Sequence, residues 1–181
     1  MVFADLPPQL HERVVCSITA AVKYQVPANI VLAIAEKEGG RPGQWVRNTN
    51  ATHDVGPMQF NTGYLAVLEK YGITAADVAA SGCYSFDLAT WRLRKHIRDD
   101  SGDVWTRAAN YHSRTPQYNS VYRADLIVKA GKWAKWLEAR FNTYDPLPAA
   151  GSSPGPAAAL AQPMVALQAV GYVHRMINGR R

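Results

Sequence analysis

Residues 28–40 read Ala-Asn-Ile-Val-Leu-Ala-Ile-Ala-Glu-Lys-Glu-Gly-Gly, and this stretch decides the fold class. Its length and almost unbroken apolar character predict a buried helix over 28–38, which the two glycines end. The chain has no alternating strand pattern of any length and no internal repeat. We therefore predict a mainly α domain, in which the Gly-, Asn-, Thr- and Pro-rich segment 40–60 is a long irregular loop, with or without a minor hairpin. Further helical stripes are predicted over 10–22, 61–71, 85–98, 102–111 and 117–142.

At 181 residues, with 48% hydrophobic and 19% charged residues, the chain has the composition of one globular domain. A disordered chain and a fibre are excluded by it. The net charge of +6 leaves nucleic acid, a membrane surface and a cell-wall polymer open as anionic partners. Residues 1–90 carry 6 basic and 8 acidic side chains, residues 91–145 carry 11 and 6, and residues 146–181 carry three arginines and no acid. The excess positive charge therefore lies after residue 90.

Composition divides the chain into a helical domain over 9–143, a Pro-, Ala- and Gly-rich linker over 144–163, and a short basic helix or tail over 164–181. Residues 146–173 have no Lys, Arg, Asp or Glu, but prolines break them repeatedly, so we predict no membrane-spanning helix. The chain opens without the basic and apolar regions of a signal peptide. Val2-Phe3-Ala4 nevertheless places small residues where a signal peptidase cuts, which predicts the trimmed form of an exported protein. A cytosolic N-terminus is the alternative.

The first cluster with chemical potential is Ala35-Glu36-Lys37-Glu38-Gly39-Gly40. Glu38 shares a helix face with apolar residues one turn and two turns earlier, and desolvation raises the pKa of such a carboxyl group. The negative end of the helix dipole acts in the same direction, so Glu38 is predicted to be a general acid. Glu36 lies about 200° round the helix and cannot pair with it. The alternative is an ordinary surface acid at a helix end.

The second cluster is the segment His53-Asp54-Val55-Gly56-Pro57-Met58-Gln59-Phe60-Asn61. Gly56 permits close approach of a ligand to the backbone, and the amides of Gln59 and Asn61 suit the acetamido and hydroxyl groups of a sugar. Met58 offers a side chain to pack under a sugar ring. A plain turn leading into a helix is the alternative.

The third cluster, residues 108–116, ends a predicted helix with Asn110-Tyr111-His112-Ser113. Tyr111 and His112 are candidate site residues, and a purely structural role is the alternative. No second His, Cys or carboxylate stands at metal-ligand spacing from His112, so we predict no metal and no cofactor.

In this order the three clusters resemble the lysozyme-like lytic transglycosylases, above all the specialised group that accompanies conjugation, secretion and type IV pilus machines. The resemblance spans roughly residues 12–125 and implies a lysozyme-like helical domain of the soluble transglycosylase type. It implies that Glu38 is the catalytic acid and base. The sequence departs from the family pattern at Gly39, Pro57 and His112, where Ser, Leu and Asn are usual. The substrate-binding positions that the resemblance implies are Gly56, Met58, Gln59, Asn61, Tyr111 and His112.

Such an enzyme cleaves the β-1,4 bond between N-acetylmuramic acid and N-acetylglucosamine in peptidoglycan and leaves 1,6-anhydro ends. One acid suffices for this reaction, whereas most glycosidases need two carboxylates. If Asp54 serves as a second acid and activates water, the protein is instead an inverting muramidase. The other interpretation of Asp54 is that it hydrogen-bonds loop amides. A non-catalytic peptidoglycan anchor for a secretion or pilus complex is a further alternative.

Related members carry cysteines at similar places, so the resemblance implies a Cys16–Cys83 disulfide and a periplasmic location. Two free thiols are the alternative. The tail after residue 144 is expected to dock onto a secretion, conjugation or pilus apparatus. No nucleic-acid partner is expected, because no binding motif accompanies the basic residues. The run Arg92, Arg94, Lys95 and Arg98 is either a solvated face or a contact for peptide-stem carboxylates.

Overall fold

The computed structural model describes residues 6–145 and 176–177. Over that part of the chain the protein is mainly α, as predicted. No helix among these residues has the length and apolar character needed to cross a membrane. The helices are α1 (Pro8–Tyr24), α2 (Ala28–Glu38), α3 (Thr62–Leu68), α4 (Ala75–Ala79), α5 (Tyr84–Asp99), α6 (Val104–Ala109) and α7 (Pro116–Glu138), with a 3₁₀ turn at Glu69–Tyr71. The strands are β1 (Trp45–Arg47), β2 (His53–Val55), β3 (Phe60–Asn61), β4 (Thr143–Tyr144) and β5 (Met176–Ile177).

The centre of the fold is α2, which packs against α1 on one side and α7 on the other. All eight residues from Ala28 to Ala35 are buried. An amphipathic helix buries one stripe, so burial all round α2 requires neighbours on several sides. α7 supplies the opposing apolar stripe with the buried side chains Tyr122, Leu126, Ala130, Trp133 and Leu137.

The 40–60 segment carries a small antiparallel sheet in the order β1-β2-β3. Trp45 pairs with Val55, and Val55 pairs in turn with Phe60. Val55 and Phe60 are fully buried, so this sheet is anchored to the helical core. The minor hairpin left open by the sequence is present, with a third short strand added. Asn61 ends β3 and caps α3 by accepting a hydrogen bond from the N–H of Gly63 at 2.9 Å.

A disulfide links Cys16 of α1 to Cys83, the residue before α5, with their Cα atoms 4.9 Å apart. It closes a loop over 67 positions that includes α2, the small sheet, α3 and α4. The pairing that the resemblance implied is therefore present. The bond fixes α1 against α5 beside the core.

At the carboxyl end of the described domain, β4 pairs antiparallel with β5, with Thr143 opposite Ile177 and Tyr144 opposite Met176. Met176 is buried, and β5 packs near α1 and α2. Of the segment predicted as a short helix or tail over 164–181, the structure describes residues 176–177, which form this strand. The rest of that segment, most of the 144–163 linker and the N-terminal Val2-Phe3-Ala4 lie outside the described residues.

Candidate active site

Glu38 is the last residue of α2, and two glycines set its surroundings. Gly39 adopts the left-handed conformation at φ +61° and ends the helix by donating its N–H to the carbonyl of Ala35 at 3.2 Å. A Cβ at Gly40 would lie 2.1 Å from the carbonyl oxygen of Gly56 and 2.6 Å from Nε2 of Gln59. The end of α2 therefore rests directly on the loop that begins at Gly56, and only glycine fits there.

The loop from Gly56 to Gln59 is a tight turn held by its own amides. Gly56 has φ +72°, and a Cβ there would lie 2.1 Å from the carbonyl oxygen of Val78 in α4. Gln59 has φ +49°, and its side-chain Nε2 donates to the carbonyl of Gly56 at 2.8 Å. The Gln59 amide thus fixes the loop, and its position beside Gly40 brings it next to the end of α2.

Met58 lies within this turn, and Tyr111 is hydrogen-bonded to it. The Met58 side chain is 1% exposed and packs with Val31, Ile34 and Leu93, so the structure places it in the core and not on a surface where a sugar ring stacks. Its backbone carbonyl accepts a hydrogen bond of 3.0 Å from the hydroxyl of Tyr111. Tyr111 is itself buried and thereby ties the end of α6 to the second cluster. Two of the sequence clusters are joined at this bond.

Asp54 and Asn61 lie opposite each other on β2 and β3. Asn61 Nδ2 donates to Asp54 Oδ1 at 2.9 Å and to the hydroxyl of Thr52 at 2.9 Å. Asp54 therefore accepts a hydrogen bond from the side-chain amide of a neighbouring strand. Its negative charge also acts on Glu38, where it favours the protonated form.

Tyr122 is the site residue that sequence reasoning missed. Its hydroxyl donates a hydrogen bond of 2.6 Å to Oε1 of Glu38, 84 positions earlier in the chain. The Tyr122 ring stacks on His112 at 4.7 Å between centroids, and Nζ of Lys37 lies 4.8 Å from its centroid. In the sequence, Tyr122 lies within the predicted helix over 117–142 and is not marked as a site residue. The available signal was a hydroxyl on an otherwise apolar stripe, since a buried phenol needs a partner.

Glu38 has its pKa raised to about 7, principally because the carboxyl group is buried. The hydrogen bond from Tyr122 opposes this rise, the charge of Asp54 adds to it, and the positive charges of Lys37 and Arg92 oppose it. Burial is the dominant effect. A carboxyl group with a pKa near 7 holds a proton about half of the time at neutral pH, which suits both proton donation and proton acceptance.

His112 is exposed to solvent on one side, while the other side of its imidazole is covered by the ring of Tyr122. Burial of the ring and the charge of Lys37 lower the pKa of His112 below its ordinary value. The imidazole is therefore neutral at pH 7. It serves as a flat, uncharged wall beside Glu38.

The predicted site residues converge on one place. Gly40, which follows the helix that ends at Glu38, lies against Gly56 and Gln59. Tyr111 donates a hydrogen bond to Met58. His112 stacks on Tyr122, which in turn donates a hydrogen bond to Glu38. We call Glu38, Tyr122, His112 and the 54–61 segment the Glu38 site. Within residues 6–145 and 176–177, no group of three or more His, Cys, Asp or Glu side chains is arranged to hold a metal ion.

No protein-family model matches the chain, and a search of the curated proteins found no similar sequence.

Proposed function

We propose that the protein is a peptidoglycan lytic transglycosylase with a lysozyme-like domain and Glu38 as its catalytic acid and base. The observation that carries the proposal is the half-buried Glu38 carboxyl group at a helix end, bonded to the buried Tyr122 hydroxyl at 2.6 Å, where desolvation raises its pKa to about 7. It lies beside a loop of amides and backbone groups, which are the groups that bind sugars. A carboxyl group held near neutrality supplies general acid catalysis of glycoside cleavage.

The proposed reaction uses Glu38 twice. Protonated Glu38 donates its proton to the bridging oxygen as the bond from C1 of the muramic acid breaks, and the acetamido carbonyl of the same sugar stabilises the positive charge at C1. The Glu38 carboxylate then takes the proton of the C6 hydroxyl while O6 bonds to C1, which gives the 1,6-anhydro ring without consuming water. Glu38 is protonated again at the end.

Tyr122 supports both halves of this cycle. Its hydroxyl donates to Glu38 at 2.6 Å, so it orients the carboxyl group and stabilises the carboxylate formed by the first proton transfer. His112 on the Tyr122 ring and Lys37 beside it hold the phenol in place. Tyr122 is thus a positioning residue for the acid.

Glu36 does not belong to the proposed site. Its carboxylate accepts hydrogen bonds from the indole of Trp133 at 2.7 Å and from Lys132 at 2.8 Å. Those partners lie on the distal part of α7 and occupy both oxygens. The reaction proposed here therefore relies on one acid, as a lytic transglycosylase requires.

The second candidate is an inverting muramidase, in which Asp54 activates a water molecule opposite Glu38. It is favoured by one observation, the influence of the Asp54 charge on the pKa of Glu38. The two carboxyl groups of an inverting enzyme flank the bond about 6.5–9.5 Å apart. The hydrogen bond from Asn61 leaves Asp54 Oδ2 available for that role.

A digest of purified peptidoglycan, with the products weighed by mass spectrometry, tests these proposals. We expect sugar ends one water lighter than reducing ends, Glu38→Gln to abolish their release while glycan binding persists, and Asp54→Asn to leave measurable activity. Reducing ends that depend on both carboxylates would establish the muramidase. Binding without cleavage by the unaltered protein would establish a non-catalytic anchor.

We further propose that the protein acts in the bacterial periplasm, where it opens the wall for a secretion, conjugation or pilus apparatus. The disulfide between Cys16 and Cys83 is compatible with an oxidising compartment. The C-terminal segment is the proposed contact with that apparatus. Replacing residues 146–170 with a Gly/Ser segment of equal length, which spares the pairing of β4 with β5, tests this: glycan cleavage in vitro is retained and association with the apparatus is lost if the segment is a docking arm.

A further inference from the structure

Arg92 of α5 is a cation beside the Glu38 site that has no role in the proposed reaction. Its guanidinium carbon lies 4.3 Å from the ring centroid of Tyr64 and 4.7 Å from that of Tyr111. Tyr64 stacks on Phe60 of the 54–61 segment, and Tyr111 donates to Met58 of the same segment. Two aromatic rings, each in contact with the 54–61 segment, thus hold one charge. Cation–π contacts of this kind fix the position of a guanidinium without using its N–H donors.

No acceptor for those donors lies in the part of the chain that the structure describes. Among residues 6–145 and 176–177, Arg92 makes no hydrogen bond and no ion pair, although its side chain is partly buried. The other partly buried arginines of that region all donate to a carbonyl, hydroxyl or carboxylate oxygen. They are Arg13, Arg107, Arg123 and Arg140. A guanidinium carries five N–H donors in a rigid fork that matches a carboxylate.

The charge of Arg92 also reaches Glu38, since it acts against protonation of that carboxyl group. A cation in this position works against the burial that keeps Glu38 protonated. Like the hydrogen bond from Tyr122, it favours the carboxylate form of Glu38. The unused N–H donors of Arg92, and not its charge alone, are what indicate a further function in binding.

We propose that Arg92 binds a carboxylate of the glycan substrate, so that the site selects muramic-acid-containing strands over uncharged polysaccharides of the same backbone. The inference rests on the proposed function and names the substrate class of the same site. The carboxylate has two sources in a peptidoglycan strand. It is either the lactyl group of a peptide-free muramic acid or a carboxylate of the stem peptide.

A carboxylate bound to Arg92 should raise the pKa of Glu38. A bound carboxylate neutralises the guanidinium, which removes one of the influences that lower the pKa of Glu38. The substrate itself then favours the protonated acid. The pH dependence of kcat, which reports the bound enzyme, should therefore lie at higher pH on its alkaline side than that of kcat/KM, which reports the free enzyme.

The test is equilibrium binding of defined glycans to proteins carrying Glu38→Gln, which prevents cleavage. Peptide-free strands, peptide-bearing strands, and samples of each whose carboxylates have been converted to amides are compared. We expect Arg92→Gln to weaken binding of the carboxylate form of one strand type about tenfold or more and to leave its amidated form unchanged. The strand type that shows the effect identifies the source. Arg92→Lys should retain part of the affinity, because it keeps the charge but loses the fork.

Arg94→Gln is the matched control, since it removes the same charge from an exposed position two residues along the same helix. Binding of the amidated glycans shows that each variant retains a folded site. An equal loss of affinity for carboxylate and amide forms would mean that Arg92 only supports the tyrosines, and would overturn the proposal. Equal affinity of the Arg92→Gln and parent proteins for every glycan would overturn it too. Cleavage by the unaltered protein, measured separately, distinguishes either result from failure of the proposed enzymatic function.

Discussion

The hydroxyl of Tyr122 and the carboxyl group of Glu38 lie 2.6 Å apart, with the phenol as donor, and this bond joins α7 to the end of α2. It is one of several direct links between the helix that carries the proposed acid and α7, together with the bonds of Glu36 to Lys132 and Trp133. A charged acceptor makes such a bond stronger than one between neutral groups. The bond is therefore strongest when Glu38 is ionised.

Tyr122→Phe should lower kcat by about 10- to 100-fold, the effect of losing a hydrogen bond to a charged group. The hydrogen bond lowers the pKa of Glu38, so its loss raises that pKa, and the alkaline limb of the pH–rate profile should move to higher pH. Steady-state rates of peptidoglycan cleavage across pH 5–9 measure both effects. Tyr118→Phe, at an exposed position on the same helix, is the control and should change neither. A lower rate with an unshifted profile would contradict the role given to Tyr122.

Gly40→Ala should destabilise the protein by about 3 kcal/mol or more, because the new methyl group meets the Gly56 carbonyl at 2.1 Å and neither backbone can yield cheaply. Since this contact seats the end of α2 on the 56–59 turn, cleavage should fall with stability. Urea unfolding monitored by circular dichroism gives the free energy of unfolding.

Gly43→Ala is the comparison for that variant. It introduces strain at φ +74° but meets no atom within 4 Å, so a cost of about 1 kcal/mol is expected. Similar losses for the two variants would refute the close approach of Gly40 to Gly56.

The helices could be predicted from the sequence because their causes are local. The apolar run and the two glycines define Ala28–Glu38, and Thr74 caps α4 with the reciprocal bonds to Asp77 that a capping box requires. The raised pKa of Glu38 could be predicted for the same reason, because the apolar neighbours on its helix face lie within two turns. The small sheet could be predicted only as a possible minor hairpin within a loop, since β1, β2 and β3 have three residues or fewer and show too little alternation.

Tyr122 and Arg92 could not be assigned from the sequence because their roles depend on how distant helices pack. Tyr122 occupies an ordinary stripe position, and the register of α7 against α2 alone decides that its hydroxyl meets Glu38. Arg92 stands in a basic run whose members look alike in sequence. Packing makes it partly buried beside Tyr64, whereas Arg94 is exposed. For Met58 the sequence suggested a role that the fold does not allow: the side chain was expected to pack under a sugar ring, but it lies in the core.

Replacing both Cys16 and Cys83 with serine should lower the free energy of unfolding by about 2–4 kcal/mol, as expected for a bond that closes a loop over 67 positions. Cleavage below the unfolding temperature should change little, because neither sulfur lies at the Glu38 site. Thermal unfolding with and without reductant measures the effect. Reductant should destabilise the unaltered protein and leave the double variant unaffected. A protein whose unfolding is indifferent to reductant would contradict the prediction.

Glu38→Gln should make the protein more stable at pH 8, by roughly 2 kcal/mol, even as it abolishes the proposed reaction. The folded pKa of Glu38, about 7, lies above the ordinary 4.5, so between those values the folded chain keeps a proton that the unfolded chain releases. Stability contributed by neutral Glu38 is therefore complete below about pH 4.5 and is lost as the pH rises to 7. Glutamine is neutral throughout and still offers Tyr122 a carbonyl oxygen, so the difference between the two proteins should vanish near pH 4 and grow toward pH 8.

Urea unfolding at intervals across that range measures the difference in the free energy of unfolding. The control, Glu69→Gln at an exposed position, is expected to stay within about 0.5 kcal/mol of the unaltered protein. A Glu38→Gln protein that is no more stable at pH 8 would mean that burial imposes no cost on the carboxylate, and Glu38 would lose the property that marks it as an acid catalyst.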